Sequence, residues 1–198
     1  MKILAFDPAR KNLGVSLIRF DSSIEILLLE KFDIYDVTII LQTYRLTRAV
    51  FEILQKAGDV DIVLIEHQMI RNDKSRIISW QIASAVQTFY MPNNCIPIKI
   101  ISGHLKNILP GRNLFPQGYY GNKKFSSYFL RRWVGDSFVL PDKIDDIADA
   151  FCMSVAYIYS KIELHSKKQN DSTKRISTSN SRHQRKPKVF PQIEGNTP

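Results

Sequence analysis

Four carboxylates occupy positions from which they can act together. Asp7 closes the first apolar run, Glu66 closes the later run Ile62-Val63-Leu64-Ile65, and Asp146 and Asp149 lie three apart on a predicted helix. Acids gathered from such separated segments repel one another, so a fold holds them best around divalent cations. Hard cations choose oxygen ligands, and two of them about 3.5–4 Å apart can activate water and take charge off the leaving oxygen of a phosphodiester. With a formal net charge of +9, the chain reads as a metal-dependent enzyme acting on a phosphate polymer. Taken singly, Asp7 also reads as a strand terminator and Glu66 as an exposed strand end. Asp142 and Asp145 suit an N-cap and a first-turn acid, whereas Asp146 and Asp149 flank the apolar stripe of their helix, an orientation that suits a site.

The elements that must position these acids follow from the apolar pattern. Lys2 to Asp7, Leu13 to Phe20 and Ile24 to Phe32 read as three strands joined by short turns, an antiparallel meander. Apolar spacing near 3.6 predicts a helix from about Asp36 to Lys56, closed by Gly58. Ile62 to Ile65 is greasy on both faces and belongs inside a sheet covered on both sides, reached by a helical crossover. A helix carrying Ile77, Ile78, Trp80, Ile82, Ala83, Val86 and Phe89 and ending near Pro92-Asn93-Asn94 follows. Next come a fifth strand at Ile96 to Ile101, a loop-rich stretch from Gly103 to Gly121, a helix over Lys123 to Val134, and a last helix over Asp142 to Lys161. This order is that of an α/β ribonuclease H-like fold: a five-stranded mixed sheet, antiparallel meander plus parallel strands, flanked by helices.

Composition bounds the rest. Of the +9, +6 falls in residues 161–198, where nine Lys/Arg stand against three acids. That segment is rich in Ser, Thr, Asn, Gln and Lys, so residues 1–161 are expected to form the domain and 162–198 a basic, disordered tail. No apolar run approaches the roughly 20 residues of a membrane helix. Cys95 and Cys152 are the two cysteines, without zinc spacing, and are expected to be reduced thiols. Met1 to Phe6 runs straight into Asp7-Pro8, without room for a signal peptide. The expected location is therefore the cytoplasm or nucleoid, or a viral replication compartment for a virus-encoded chain, and not outside the cell.

Three motifs carry a family resemblance. Ile3-Leu4-Ala5-Phe6-Asp7-Pro8 with Asn12 and Gly14 resembles the opening of the RuvC-like Holliday-junction resolvases. Val63-Leu64-Ile65-Glu66-His67-Gln68, followed by Arg71, is similar to the Glu-x-Gln motif of their poxvirus and mitochondrial branch. Asp146-Ile147-Ala148-Asp149-Ala150 resembles the closing Asp-x-x-Asp-Ala motif. Together they span about residues 1 to 160. Ala9 departs from the usual Gly of the family, and the long tail lies outside its pattern.

The resemblance implies a dimeric, structure-selective endodeoxyribonuclease that cuts four-way DNA junctions to give 5′-phosphate and 3′-hydroxyl ends. It would use Mg²⁺, with Mn²⁺ as alternative and two ions per site, and no small-molecule cofactor. Asp7, Glu66, Asp146 and Asp149 would hold the ions, and a lysine would assist: Lys124 first, then its neighbour Lys123, with Lys106 as outsider. A solvated charge at a helix start is the plainer reading of any one of them. Arg71, Lys74, Arg76, Arg112, Lys123 and Arg131 are expected to hold phosphates. Phe115, Tyr119, Tyr120, Phe125 and Tyr128 can stack on unpaired bases, or be core residues. The helix around Trp80 resembles the resolvase dimer helix, with burial under the sheet as its alternative. Two other functions fit the same sequence: a YqgF-like nuclease acting on structured RNA, and a non-catalytic nucleic-acid-binding module whose acids are only caps.

Overall fold

The computed structural model describes residues 1–68, 73–91, 95–135, 139–141 and 143–181, with the backbone alone for Lys74 and residues 165–181. The chain divides into two units, Met1–Ser160 and Lys161–Pro198.

The first unit is built on five strands, β1 (Lys2–Pro8), β2 (Asn12–Phe20), β3 (Ile24–Asp33), β4 (Ile62–His67) and β5 (Ile98–Ser102), ordered β3-β2-β1-β4-β5. β1 pairs antiparallel with β2 and parallel with β4, and β4 pairs parallel with β5. The greasy run of β4 thus lies inside the sheet, as its lack of a polar face requires. β5 forms an edge and starts at Ile98 instead of Ile96.

Helix α1 (Ile39–Ala57) is capped by Thr38, whose hydroxyl accepts from the Leu41 N–H at 3.2 Å, and closed at Gly58, whose N–H donates to the Leu54 carbonyl. Helix α2 is Asp73–Tyr90. After β5 come two 3₁₀ turns, Gly103–Ile108 and Arg112–Leu114, where the sequence suggests only loop. Helix α3 (Tyr119–Val134) begins one turn before the expected Lys123. Helix α4 runs Asp145–Ser181, twenty residues beyond the Lys161 at which the apolar stripe stops. The described helix thus reaches into the segment that composition marks as tail. The proposed Asp142 cap, the Pro92-Asn93-Asn94 helix end, and residues 182–198 lie outside the described residues.

The two-residue period of the strands sorts side chains into two cores. Leu4, Phe6, Val63 and Ile65 pack with Leu46, Val50, Ile53 and Leu54 of α1 and with Ile78, Ile82 and Val86 of α2. Ile3, Ala5, Ile62 and Leu64 pack with Phe125, Phe129 and Leu130 of α3 and with Ile147, Phe151 and Val155 of α4. Each fully buried large side chain contributes about 1.5–3 kcal/mol relative to exposure, so the two layers fix which face each strand residue presents. Among the described residues no helix is long and apolar enough to cross a membrane. Both cysteines are free, and burial pushes the Cys152 thiol up to about 12.

Candidate active site

The same alternation carries the acids to one place. Asp7 continues the series Ile3, Ala5 and Glu66 the series Ile62, Leu64, so both leave the sheet on the α3/α4 face. The register of β1 with β4 ends at Phe6↔Ile65, one step before the two carboxylates. On α4, the i, i+3 spacing of Asp146 and Asp149 puts both on the face turned to that edge. Gly14, paired with Asp7 across β1 and β2, lies directly beneath the first turn of α4: a Cβ there would collide with the Asp146 carbonyl. The motif glycine is thus required by close approach of a helix to the sheet.

Asp7, Asp146 and Asp149 are buried and Glu66 is nearly so. Two lysines sit among them. The Lys106 ammonium, on the first 3₁₀ turn, is 2.8 Å from Asp149 Oδ1 and 3.5 Å from Glu66 Oε1. The Lys123 ammonium, on α3, is 2.7 Å from Asp149 Oδ2 and 3.5 Å from Asp146 Oδ1. The Ser126 hydroxyl donates to Asp149 Oδ1 at 2.7 Å, and the Asn12 amide donates to Asp146 Oδ2 at 3.2 Å. The acids convergent here therefore come from β1, β4 and α4, and the cations from the segments following β5.

Four carboxylates against two ammonium groups leave an excess of negative charge, and the titration behaviour reflects it. Burial, then the charge and hydrogen bond of Glu66, and then the charge of Asp149 hold the Asp7 carboxyl well above the ordinary carboxylate range, with Lys106 opposing. For Asp149 burial works upward as well, but Lys106 and Lys123 outweigh it and the carboxyl is lowered. Both lysines are raised: burial works against their charge, and Asp149 foremost among the acids overcomes it.

An all-oxygen donor set with unneutralised charge suits a hard divalent cation. Among the described residues, no three His, Cys, Asp or Glu side chains are disposed as they stand to hold a metal ion. The lysine ammonium groups hold oxygens of Glu66, Asp146 and Asp149 that a cation would share. The donor chemistry fits; the observed side-chain arrangement is the lysine-paired one.

Residues 1–161 match the profile of the Poxvirus A22 protein family. The chain belongs to that family. It is the poxvirus branch of the Holliday-junction resolvases that the three motifs resemble. No curated protein matches the sequence. Among solved structures, the A22-family chain is similar to Thermus thermophilus RuvC, with TM-score 0.59 and 16% identity over 82% of this chain and 97% of that one. It is also similar to T. thermophilus RuvC in complex with a Holliday junction substrate, with TM-score 0.58 and 13% identity over 82% and 96%. A third is the yeast mitochondrial Holliday junction resolvase Ydc2, with TM-score 0.56 and 13% identity over 86% and 85%. At these identities the likeness concerns the fold, which is ribonuclease H-like, as the element order implied.

This A22-family member keeps the turn after Asp7 despite Ala9. The Ala9 N–H donates to the Asn12 carbonyl at 3.0 Å, and no described residue other than glycine has a positive φ, so the turn does not demand glycine at position 9.

Two expectations for basic residues need correction. Lys124 is exposed and lies outside the carboxylate cluster, which Lys106 and Lys123 enter instead. One residue along a helix turns a side chain by about 100°, and position 123 shares the face of buried Ser126 and Leu130, three and seven residues on, while Lys124 turns outward. Lys106 could have been found from its place just beyond a parallel strand, at the carboxyl edge where α/β sheets build sites. Arg112 is no surface phosphate ligand: it is buried, donating to the Phe115 and Pro116 carbonyls and to Asn122 Oδ1. Arg76 is exposed and paired with Asp73, and Arg131 is exposed on α3. Arg71 and the side chain of Lys74 lie outside the described residues. Of the aromatics, Phe125 is core, Phe115 packs on it, Tyr128 is part-exposed, and Tyr119 and Tyr120 are exposed.

Proposed function

We propose that this protein is a homodimeric endonuclease that cuts four-way DNA junctions, with Asp7, Glu66, Asp146 and Asp149 holding divalent ions. The observation that carries the reading is the meeting of these four acids with Lys106 and Lys123 at one sheet edge of an A22-family chain. When bound, two ions, Mg²⁺ by preference and Mn²⁺ as substitute, would supply Lewis-acid stabilisation of the phosphate and of the leaving oxygen and lower the pKa of the attacking water. The products would carry 5′-phosphate and 3′-hydroxyl ends.

The chain's own residues do the positioning. Ser126, Lys106 and Lys123 fix both oxygens of Asp149, and Asn12 fixes one of Asp146. Lying among the acids that would hold the ions, the two ammonium groups would stand beside the reacting phosphate, where fixed positive charge stabilises the negative charge that develops in the transition state. Lys106 and Lys123 therefore take the part that the motif comparison gave to Lys124. Arg76, Arg131 and exposed Lys124 would contribute salt-sensitive phosphate contacts, as would the basic residues of 162–198.

A dimer suits a junction whose two-fold symmetry calls for paired incisions. Support comes from Ile77 and Trp80, which stay exposed on α2 while Ile78 and Ile82 enter the core.

The test is cleavage of a synthetic four-way junction, a linear duplex and an RNA hairpin of matching composition over a Mg²⁺ titration. Cutting confined to the junction, dependent on the metal and abolished by Asp7→Asn with junction binding retained, is expected. RNA cleavage instead, or binding without turnover, overturns it.

A further inference from the structure

Tyr119 and Tyr120 open α3 with 69% and 82% of their surface exposed, their rings 5.6 Å apart and nearly perpendicular. The backbone beneath them is tied to the preceding loop. Gly121 lies so close on the loop that a Cβ would collide with the Pro116 carbonyl. Buried Arg112 donates to that carbonyl at 3.3 Å, to the Phe115 carbonyl at 3.0 Å and to Asn122 Oδ1, tying the loop to the first turn of the helix. Its guanidinium lies over the Phe125 ring at 5.8 Å, and the Phe115 ring packs on Phe125 at 5.6 Å. Charge-assisted bonds of this kind fix geometry as well as adding energy. Two aromatic side chains are thus held in water by a frame with little freedom to bury them.

Their location identifies an occupant. Four residues along from Tyr119, one turn of the helix, the Lys123 ammonium lies 6.0 Å from the Tyr119 ring centre and 2.7 Å from Asp149. One ammonium group therefore spans the distance between the aromatic pair and the acid cluster. A ligand reaching the acids with a phosphate would meet the tyrosines with its bases. Within a duplex the base faces are covered by their stacked neighbours, whereas a pair opened at a branch point presents base faces that can stack on a side chain as single-stranded bases do.

We infer that Tyr119 and Tyr120 form a stacking platform for unpaired bases at the branch point of DNA, selecting branched over linear substrate. This rests on the endonuclease reading above. The full-length protein would be assayed on a four-way junction carrying 2-aminopurine at the crossover, with Ca²⁺ for binding and Mg²⁺ for cleavage. The Tyr119→Ala/Tyr120→Ala double variant should lose about 10-fold or more in kcat/KM on the junction, with linear-duplex affinity and thermal midpoint unchanged. It should also lose the change in 2-aminopurine emission that the unaltered protein produces. Phe at both positions should rescue both readouts, since stacking needs the ring and not the hydroxyl. Wild-type behaviour of the Ala variant, or failure of the Phe variant to rescue, overturns the inference. A wild-type protein that neither binds nor cuts the junction removes the endonuclease reading and the inference with it, so the two failures are separable.

Discussion

Lys106 and Asp149 form a buried ion pair at 2.8 Å, and the same ammonium reaches Glu66 at 3.5 Å. One cation from the edge of the sheet thus joins an acid of β4 to an acid of α4. Removing one member of a buried pair costs about 3–5 kcal/mol because the other is left uncompensated. Lys106→Met is therefore expected to lower the thermal midpoint in the absence of metal and to recover more than the wild type when Mg²⁺ is added. Junction cleavage should fall about 10²–10³-fold.

Lys124→Ala should stay within about twofold of wild type at physiological salt, because a single exposed cation contributes little beyond screened phosphate attraction. Parallel single-turnover rates for the Lys106, Lys123 and Lys124 variants check the order. A Lys124→Ala defect as deep as that of Lys123→Ala would refute the placement of α3 against the acids.

Most of the fold was legible, for a reason particular to these strands. Ile3 to Phe6 and Ile62 to Ile65 must be covered on both faces, which fixes a central parallel pair and so brings Asp7 beside Glu66. The lysines were harder. Whether Lys123 or Lys124 faces the acids depends on the rotational phase of α3, and Lys123 stands three and seven residues before buried Ser126 and Leu130, a spacing that the solvated-charge reading passed over. Arg112 itself looks like any loop arginine until the carbonyls it binds are known. The end of the apolar stripe near Lys161 marks where core packing stops, and the bounds of α4 beyond it were not legible because no apolar period continues there.

Gly14→Ala tests the close approach of α4 to β2. Forcing a methyl against the Asp146 carbonyl should destabilise by about 1–3 kcal/mol. For a domain of this size that lowers the thermal midpoint by about 2–4 °C per kcal/mol. Cleavage should fall further than stability at the assay temperature accounts for, because Asp146 is carried away from Asn12 and Lys123. Unchanged melting would mean that the helix does not rest there.

The metal-free protein should lose stability as the pH rises above the ordinary carboxylate range toward the raised Asp7 value. Asp7 is held above its ordinary value, so its contribution is complete below the ordinary carboxylate range and lost as the pH passes its raised value. Asp149 acts in the opposite sense, but its contribution is lost only as the pH falls through that ordinary range toward its lowered value. The raised lysines lose theirs above the ordinary lysine range, near about 10.5. Of these four groups, Asp7 alone loses its contribution as the pH rises between the ordinary carboxylate and lysine ranges. Asp7→Asn should melt higher than wild type at pH 8 without metal, show no gain with Mg²⁺ and cut nothing. Melting curves across pH with EDTA or Mg²⁺ decide; a variant less stable than wild type at pH 8 would contradict the charge excess.

The exposed apolar residues of α1 and α2 give the proposed dimer a testable face. On α2, Trp80 is 62% exposed and Ile77 45%; on α1, Ile40, Leu41 and Tyr44 are at least half exposed. The two helices are joined near these residues by a hydrogen bond from the Gln81 amide to the Thr43 hydroxyl at 2.9 Å. An apolar surface of this kind, away from the acids of the opposite sheet face, suits burial against a second copy. Aromatic anchors carry a large share of such interfaces, commonly 2 kcal/mol or more each, so Trp80→Glu should weaken self-association at least about 30-fold. Light scattering should then show a monomer whose thermal midpoint changes little apart from the loss of association. Paired incision of a cruciform plasmid should collapse to single nicks. A Trp80→Glu protein that remains dimeric and linearises the plasmid would move the interface elsewhere.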